Sequence, residues 1–198
     1  MNNREIIENK ILKFEFEGDF YFCQTILRKK ENPETPKSER LINSYYIYSL
    51  LDLEKKWNDI VNDCETYDAR AYLWVNRRND EKIALQMLRV LAENIANKTY
   101  KTRKIYNSVC GKYASEPERK WIIDIDSKEY FNNYADKIVE YINNISPHGD
   151  KLKAIISTPH GYHLITSPFD LQKFIQEWGV DVHKDNGTIL YNKFKNNE

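Results

Sequence analysis

The chain has 198 residues, of which 30 are basic and 30 acidic, so it carries no net charge at neutral pH. This length suits one domain of above-average size or two intimate lobes, and it excludes two independent domains. The balanced charge excludes whole-surface attraction to nucleic acid or to an anionic membrane, so any such binding must come from a local patch.

Residues 13 to 28 alternate in places around Gly18-Asp19, which predicts a hairpin turning at that pair. Arg28-Lys29-Lys30 reads as a solvated strand end, and the polar run Glu31 to Lys37, broken by Pro33 and Pro36, as a loop. A helix is predicted around Leu53 to Val61. The aromatic and branched residues of Ala69 to Val75 then favour a strand, which ends at Asn76-Arg77-Arg78. Ile83, Met87, Leu88, Leu91 and Ile95 have the spacing of one helix face over 81–97, with Asn79 or Asp80 as cap. Lys98 to Lys104 carries four positive charges in seven residues around Tyr100. That pattern fits either a solvated helix end or a patch for backbone contacts and base stacking.

In the second half, an apolar strand over 121–126 precedes a helix started by Ser127, with Phe131, Tyr134, Ile138, Tyr141, Ile142 and Ile145 on one face. Lys153 to Ser157 and Tyr162 to Thr166 read as strands joined by a turn at His160-Gly161. Asp170 to Trp178 reads as a helix, and Val180 to His183 with Ile189 to Tyr191 as closing strand material. The order β-α-β-β-α-β predicts an α+β fold, a ferredoxin-like or RRM-like unit over 116–198 with helices on one face of an antiparallel sheet. Residues 1–115 form an N-terminal αβ lobe packed on it in one compact body. Such a fold serves many chemistries and does not name one.

Cys23, Cys64 and Cys110 are odd in number, far apart and without a Cys-x-x-Cys pair, which points to a reducing compartment rather than to disulfides or zinc. The first residues lack the apolar run of a signal peptide, and no stretch approaches the roughly 20 apolar residues that span a bilayer. The expected location is the cytoplasm, with no membrane partner.

Alternation along Trp121 to Asp126 puts Ile122, Asp124 and Asp126 on one face. Two carboxylates about 7 Å apart along a strand suit hard cations such as Mg²⁺. The competing reading has Asp126 favouring the helix N-terminus that follows and Asp124 facing solvent. On the hairpin, the Ser157 hydroxyl, the backbone N–H groups near Gly161, and His163 supply donors for phosphate oxygens. Lys184, Arg77 or Arg78 would add positive charge. Gly161 suits a tight turn with positive φ or a close approach to the backbone. His160 sits at that turn, and His148, beside Pro147 and Gly149, reads as a loop residue.

On these residues the C-terminal part of the chain resembles the catalytic core of the archaeo-eukaryotic primase superfamily. In that family an Asp-x-Asp or Asp-x-Glu ends an apolar strand, matched here by Asp124 and Asp126. A Ser-x-His type motif follows on a hairpin, matched by Ser157, Gly161 and His163, with Thr158, Pro159 and His160 where members usually carry Gly and Arg. A last acidic residue after an apolar one completes the metal site; Asp181 matches it and Asp185 competes.

The resemblance implies a nucleotidyltransferase that uses Mg²⁺ or Mn²⁺ to join nucleoside triphosphates on a single-stranded nucleic-acid template, with a helicase or replication protein in trans. It assigns catalysis to Asp124, Asp126 and His163, metal binding to Asp124, Asp126 and Asp181, and nucleotide binding to Ser157, His160, Gly161 and Lys184. Two alternatives stand beside it. One is a metal-dependent nuclease or phosphodiesterase, with Asp126-Ser127-Lys128 at the metal. The other is a catalytically degenerate ferredoxin-like module that binds nucleotides, nucleic acid or a protein.

Overall fold

The computed structural model describes residues 2–28, 39–99, 102 and 104–193. The predicted loop at 31–37, Lys29 and Lys30 of the basic triplet, and Tyr100, Lys101 and Arg103 lie outside the described residues. Among those described, six helices and nine strands make a mixed α+β fold with two antiparallel sheets.

Helix α1 (Asn3–Lys10) starts in a capping box, in which Asn2 accepts from the Glu5 N–H and the Glu5 side chain reaches back. Strand β1 (Asp19–Arg28) pairs with β2 (Glu39–Ile47), and helix α2 (Leu50–Tyr67) follows behind a Ser49 cap. Strands β3 (Arg70–Trp74) and β4 (Arg78–Asn79) both pair with β1, and helices α3 (Asp80–Ala96) and α4 (Ile105–Lys112) close the first half. The second half runs β5 (Trp121–Ile125), α5 (Lys128–Asn144), β6 (Leu152–Ser157), β7 (Tyr162–Thr166), α6 (Leu171–Trp178), β8 (Asp181–His183) and β9 (Gly187–Asn192). The first sheet has the order β2-β1-β3-β9, and the second β6-β7-β5-β8.

Several expectations need correction. Gly18-Asp19 is not a hairpin turn: the Asp19 carboxylate accepts from the N–H groups of Glu15 and Phe16, steering an irregular segment into β1. The hairpin partner of β1 is β2, a strand the sequence did not announce. The helix predicted at 53–61 extends over Leu50–Tyr67 and stops at Asp68 in the left-handed region, φ 49°. On α3 only Ile83 is fully buried, while Leu88 and Ile95 are exposed. Residues 187–192 do not close the second sheet; β9 pairs with β3 in the first, where Ile189 and Leu190 are both buried. Here β9 is the edge strand, and α1, α2 and the shared core cover its apolar residues.

The second sheet is two-faced. Ile123, Ile125 and Leu164 pack on Ile138 and Ile142 of α5 and Phe174 of α6. Ile122, Ile156 and Ile165 point the other way, into a core shared with Ile7, Tyr21, Cys23, Leu73 and Ile189. Asn3 ties both sheets to α1 by donating to the Ser157 and Ile189 carbonyls at 2.8 and 2.9 Å. Phe20 and Phe22 on the far face of β1 pack under α3 and α4. Among the described residues, no helix is long and apolar enough to cross a membrane.

A buried polar network joins the halves at the end of β3. The Asn76 amide donates to the Lys120 carbonyl (2.9 Å) and accepts from its N–H (2.7 Å). The Arg77 guanidinium faces Asp19, Glu15 and Glu116, and Arg78 donates to both oxygens of Asp185 at 3.1 and 3.0 Å. Arg77, Arg78 and Asp185 are thus spent on structure, which corrects two sequence readings: the arginines as phosphate ligands and Asp185 as rival third carboxylate. Asp185→Ala would strand the Arg78 charge, and urea unfolding is expected to show a loss of about 3–5 kcal/mol.

Candidate functional site

Strand β5 lies between β7 and β8, with Asp124 opposite His163 on one side and Asp181 on the other. Directly opposed residues of antiparallel strands share a face, so the three side chains form a row on the face turned to the first sheet. Asp124 Oδ1 lies 3.3 Å from His163 Nε2, and Oδ2 lies 3.9 Å from His183 Nε2. These are close contacts rather than aligned hydrogen bonds, and the shielded Oδ1 has no hydrogen-bond donor among the described residues. Burial alone would raise the Asp124 carboxyl; the contacts with His163 and His183 more than reverse this and hold it well below the usual carboxylate range. The same contact raises His183, against partial burial. His163 is buried, and its other nitrogen, Nδ1, is 2.9 Å from the hydroxyl of buried Thr188 on β9.

The β6–β7 hairpin docks its tip on the β5–α5 junction. Thr158 N–H donates to the Gly161 carbonyl, Gly161 N–H donates to Thr158 Oγ1, and Lys128 N–H at the start of α5 donates to the His160 carbonyl. A Cβ on Gly161 would lie 1.8 Å from the Ile125 carbonyl oxygen. Glycine is needed here for close approach of two backbones, and not for positive φ, which this residue does not adopt. The docking sets Pro159 and His160 beside Asp126.

Asp124, Asp126, His160, His163 and His183 line one side of a cleft of about 440 Å³ between the sheets, and Arg28, Arg70, Tyr72 and Gly187 line the other. Asp181 lies in an adjoining groove that shares Asp124 and Asp126. Two expected nucleotide ligands are not brought into the cleft. Ser157 follows Ile156, the partner of His163, so its side chain turns to the helix side while its backbone is held by Asn3. Lys184 is exposed, with its ammonium 5.3 Å from the centroid of the Trp121 ring. A larger cavity of about 830 Å³ opens at the start of α3, but the buried Arg77 beneath it is already paired with acids.

Sequence reasoning missed Arg70, His183 and Thr188, and for Arg28 preferred a solvated strand end to a phosphate contact. Arg70 left one signal, a charge inside an otherwise apolar strand; His183 left another, its two-residue spacing from Asp181. Among the described residues, no three His, Cys, Asp or Glu side chains converge as a ready-made metal centre. Comparison with protein-family models, curated proteins and solved structures finds no match.

Two outcomes follow from this geometry. Gly161→Ala is expected to cost at least ~2 kcal/mol in chemical denaturation, because the clashing atom is backbone. By NMR, His183 is expected to titrate above the ordinary histidine value, with Asp124→Asn moving it down. A raised His183 stabilises the fold fully below its unfolded value and loses this as pH climbs through the folded one. The lowered Asp124 contributes above its unfolded value, about 3.9, and loses this as acidification passes its folded one.

Proposed function

We propose that the protein is a metal-dependent nucleotidyltransferase of the primase-polymerase kind, joining nucleoside triphosphates on a single-stranded nucleic-acid template. One observation carries the reading: Asp124 and Asp126 share with His163, from a different strand, a cleft whose opposite wall bears Arg28 and Arg70. Acids for cations and guanidinium groups for phosphate oxygens are the two charge types that phosphoryl transfer requires. The strand order β8-β5-β7-β6 with α5 and α6 on one face supports a ferredoxin-like catalytic unit, with the N-terminal lobe forming the other wall.

The residues fit a hard divalent cation. Asp124 presents a shielded oxygen without a donor, Asp126 lies beyond the strand end on the same cleft, and Asp181 borders both in the adjoining groove. Asp124 and Asp126, with Asp181 nearby, would hold Mg²⁺ or Mn²⁺, which neutralises phosphate oxygens and favours the ionised form of an attacking hydroxyl. Arg28 and Arg70 would bind the triphosphate tail and His160 its outer oxygens. His163, anchored through Nδ1 by Thr188, would present Nε2 to the phosphate beside Asp124. The 3′ hydroxyl of the strand would attack the α-phosphorus, its proton leaving to water, as the bond to pyrophosphate breaks.

A second reading, a binding module without catalysis, draws on the two histidines that already hold Asp124 and on the lack, among the described residues, of a ready-made three-ligand cluster. Purified protein with Mn²⁺, a primed template and labelled nucleotides is expected to lengthen the primer. The double variant Asp124→Asn, Asp126→Asn is expected to lower incorporation by roughly 100-fold or more. A shortened strand would indicate a nuclease instead. Nucleotide binding that needs no metal and yields no product would favour the binding module.

A further inference from the structure

The outer side of the Asp124–Asp126 pair opens into a groove of about 670 Å³ between α5 and α6, which the proposed chemistry leaves without a role. Tyr130, Asn133 and Tyr134 of α5 line it, and Lys137 continues their stripe at its rim. Tyr130, Asn133, Tyr134 and Lys137 are spaced i, i+3, i+4 and i+7, so they share a helix face leading away from the carboxylates. This stripe borders the buried one, Ile138 and Ile142, that anchors α5 on the sheet; Tyr130 packs on that core, while Tyr134, expected on the packing face, is exposed. The Tyr130 and Tyr134 rings lie 4.7 Å apart by their centroids, and Trp178 of α6 stands edge-on to Tyr134 at 6.4 Å. Tyr134 is 40% exposed and lines the groove. The Lys137 ammonium lies 5.5 Å from the centroid of the Tyr134 ring.

We propose that this groove is a track for the 3′ end of a single-stranded nucleic acid, an inference that rests on the nucleotidyltransferase reading. Charge gives the track a direction. Its inner end holds Asp124, Asp126, Glu129 and Asp181 and is hostile to phosphates unless cations are bound there. Its outer end offers rings, the Asn133 amide and the Lys137 ammonium, the combination that binds unpaired bases by stacking and their backbone by charge. A strand laid along α5 would therefore set its last bases on Tyr130 and Tyr134, a phosphate near Lys137, and its terminal sugar at the carboxylates. The triphosphate would enter from the opposite side, between Arg28 and Arg70. The acid pair stands where the two grooves meet, as a reaction joining these two substrates requires.

The test is fluorescence anisotropy of a labelled single-stranded oligonucleotide with the whole protein in Mg²⁺. Tyr134→Ala is expected to weaken binding by roughly 5- to 100-fold, the range of one lost base stack, and Tyr134→Phe to restore it. Tyr134 is part-exposed and lies outside the buried core, so circular dichroism is expected to show both variants folded. Lys137→Ala is expected to flatten the salt dependence of binding, and a blunt duplex of the same sequence to bind at least ~10-fold more weakly. Unchanged affinity in Tyr134→Ala, equal binding of the duplex, or no binding by the wild-type protein would overturn the track. The two readings fail separately. Strand binding that depends on Tyr134 without nucleotide incorporation keeps the track and removes the transferase. Incorporation with strand affinity and KM untouched by Tyr134→Ala does the reverse.

Discussion

Burying an unpaired guanidinium costs far more than folding has to spare, so two adjacent buried arginines dictate much of what surrounds them. Arg77 and Arg78 are the largest fully buried side chains among the described residues. Their acids come from four places: the segment before β1 (Glu15), the start of β1 (Asp19), the stretch leading into β5 (Glu116) and the β8–β9 turn (Asp185). Asn76 adds a two-way clasp to Lys120, one residue before β5. Once these contacts are made, β5 must start beside the end of β3, and the chain must leave β8 at the same point. The two sheets have no freedom to choose another relation.

From that constraint the cleft follows. With the β8–β9 turn pinned, β8 stays on β5 and carries His183 to Asp124, while β9 crosses to β3 and carries Thr188 to His163. Strand β5 is shared between two surroundings along one face: Ile122 sits in the common apolar core, and Asp124, two residues on, reaches the cleft. Half-burial strengthens the fields of the histidines at Asp124, because little water screens them, and the carboxylate is held ionised although burial opposes it.

Local patterns carried a good part of this architecture. The alternation in Trp121 to Asp126 marked β5 and its polar face. The Ser127 cap and the apolar periodicity behind it marked α5, and α6 was legible over Asp170 to Trp178, where the structure adds an Asp170 cap and a left-handed Gly179. Each of these is a contest settled within a few residues. Prediction failed where the competitor was distant. Residues 13–17 alternate like a strand but pair with no strand among the described residues, because β1 pairs with β2. Glu39–Ile47 is a strand only because β1 is there to pair with it. Ser157 was assigned to phosphate by motif spacing, and strand pleat turned it to the helix side.

The sequence by itself determined which residues could do chemistry: the paired carboxylates of one strand, a histidine on the following hairpin and a glycine with no room for a side chain. It also determined the helix caps and the two-faced apolar pattern on which the second sheet is built. Only the tertiary structure decided that three of the four histidines meet at Asp126 and Asp124, that Arg28 and Arg70 face them, and that Arg77, Arg78 and Asp185 serve the fold instead. The reason is that caps and periodicity act over a turn or two of chain. The meaning of a buried charge depends on partners up to 107 residues away in sequence, as Arg78 and Asp185 are.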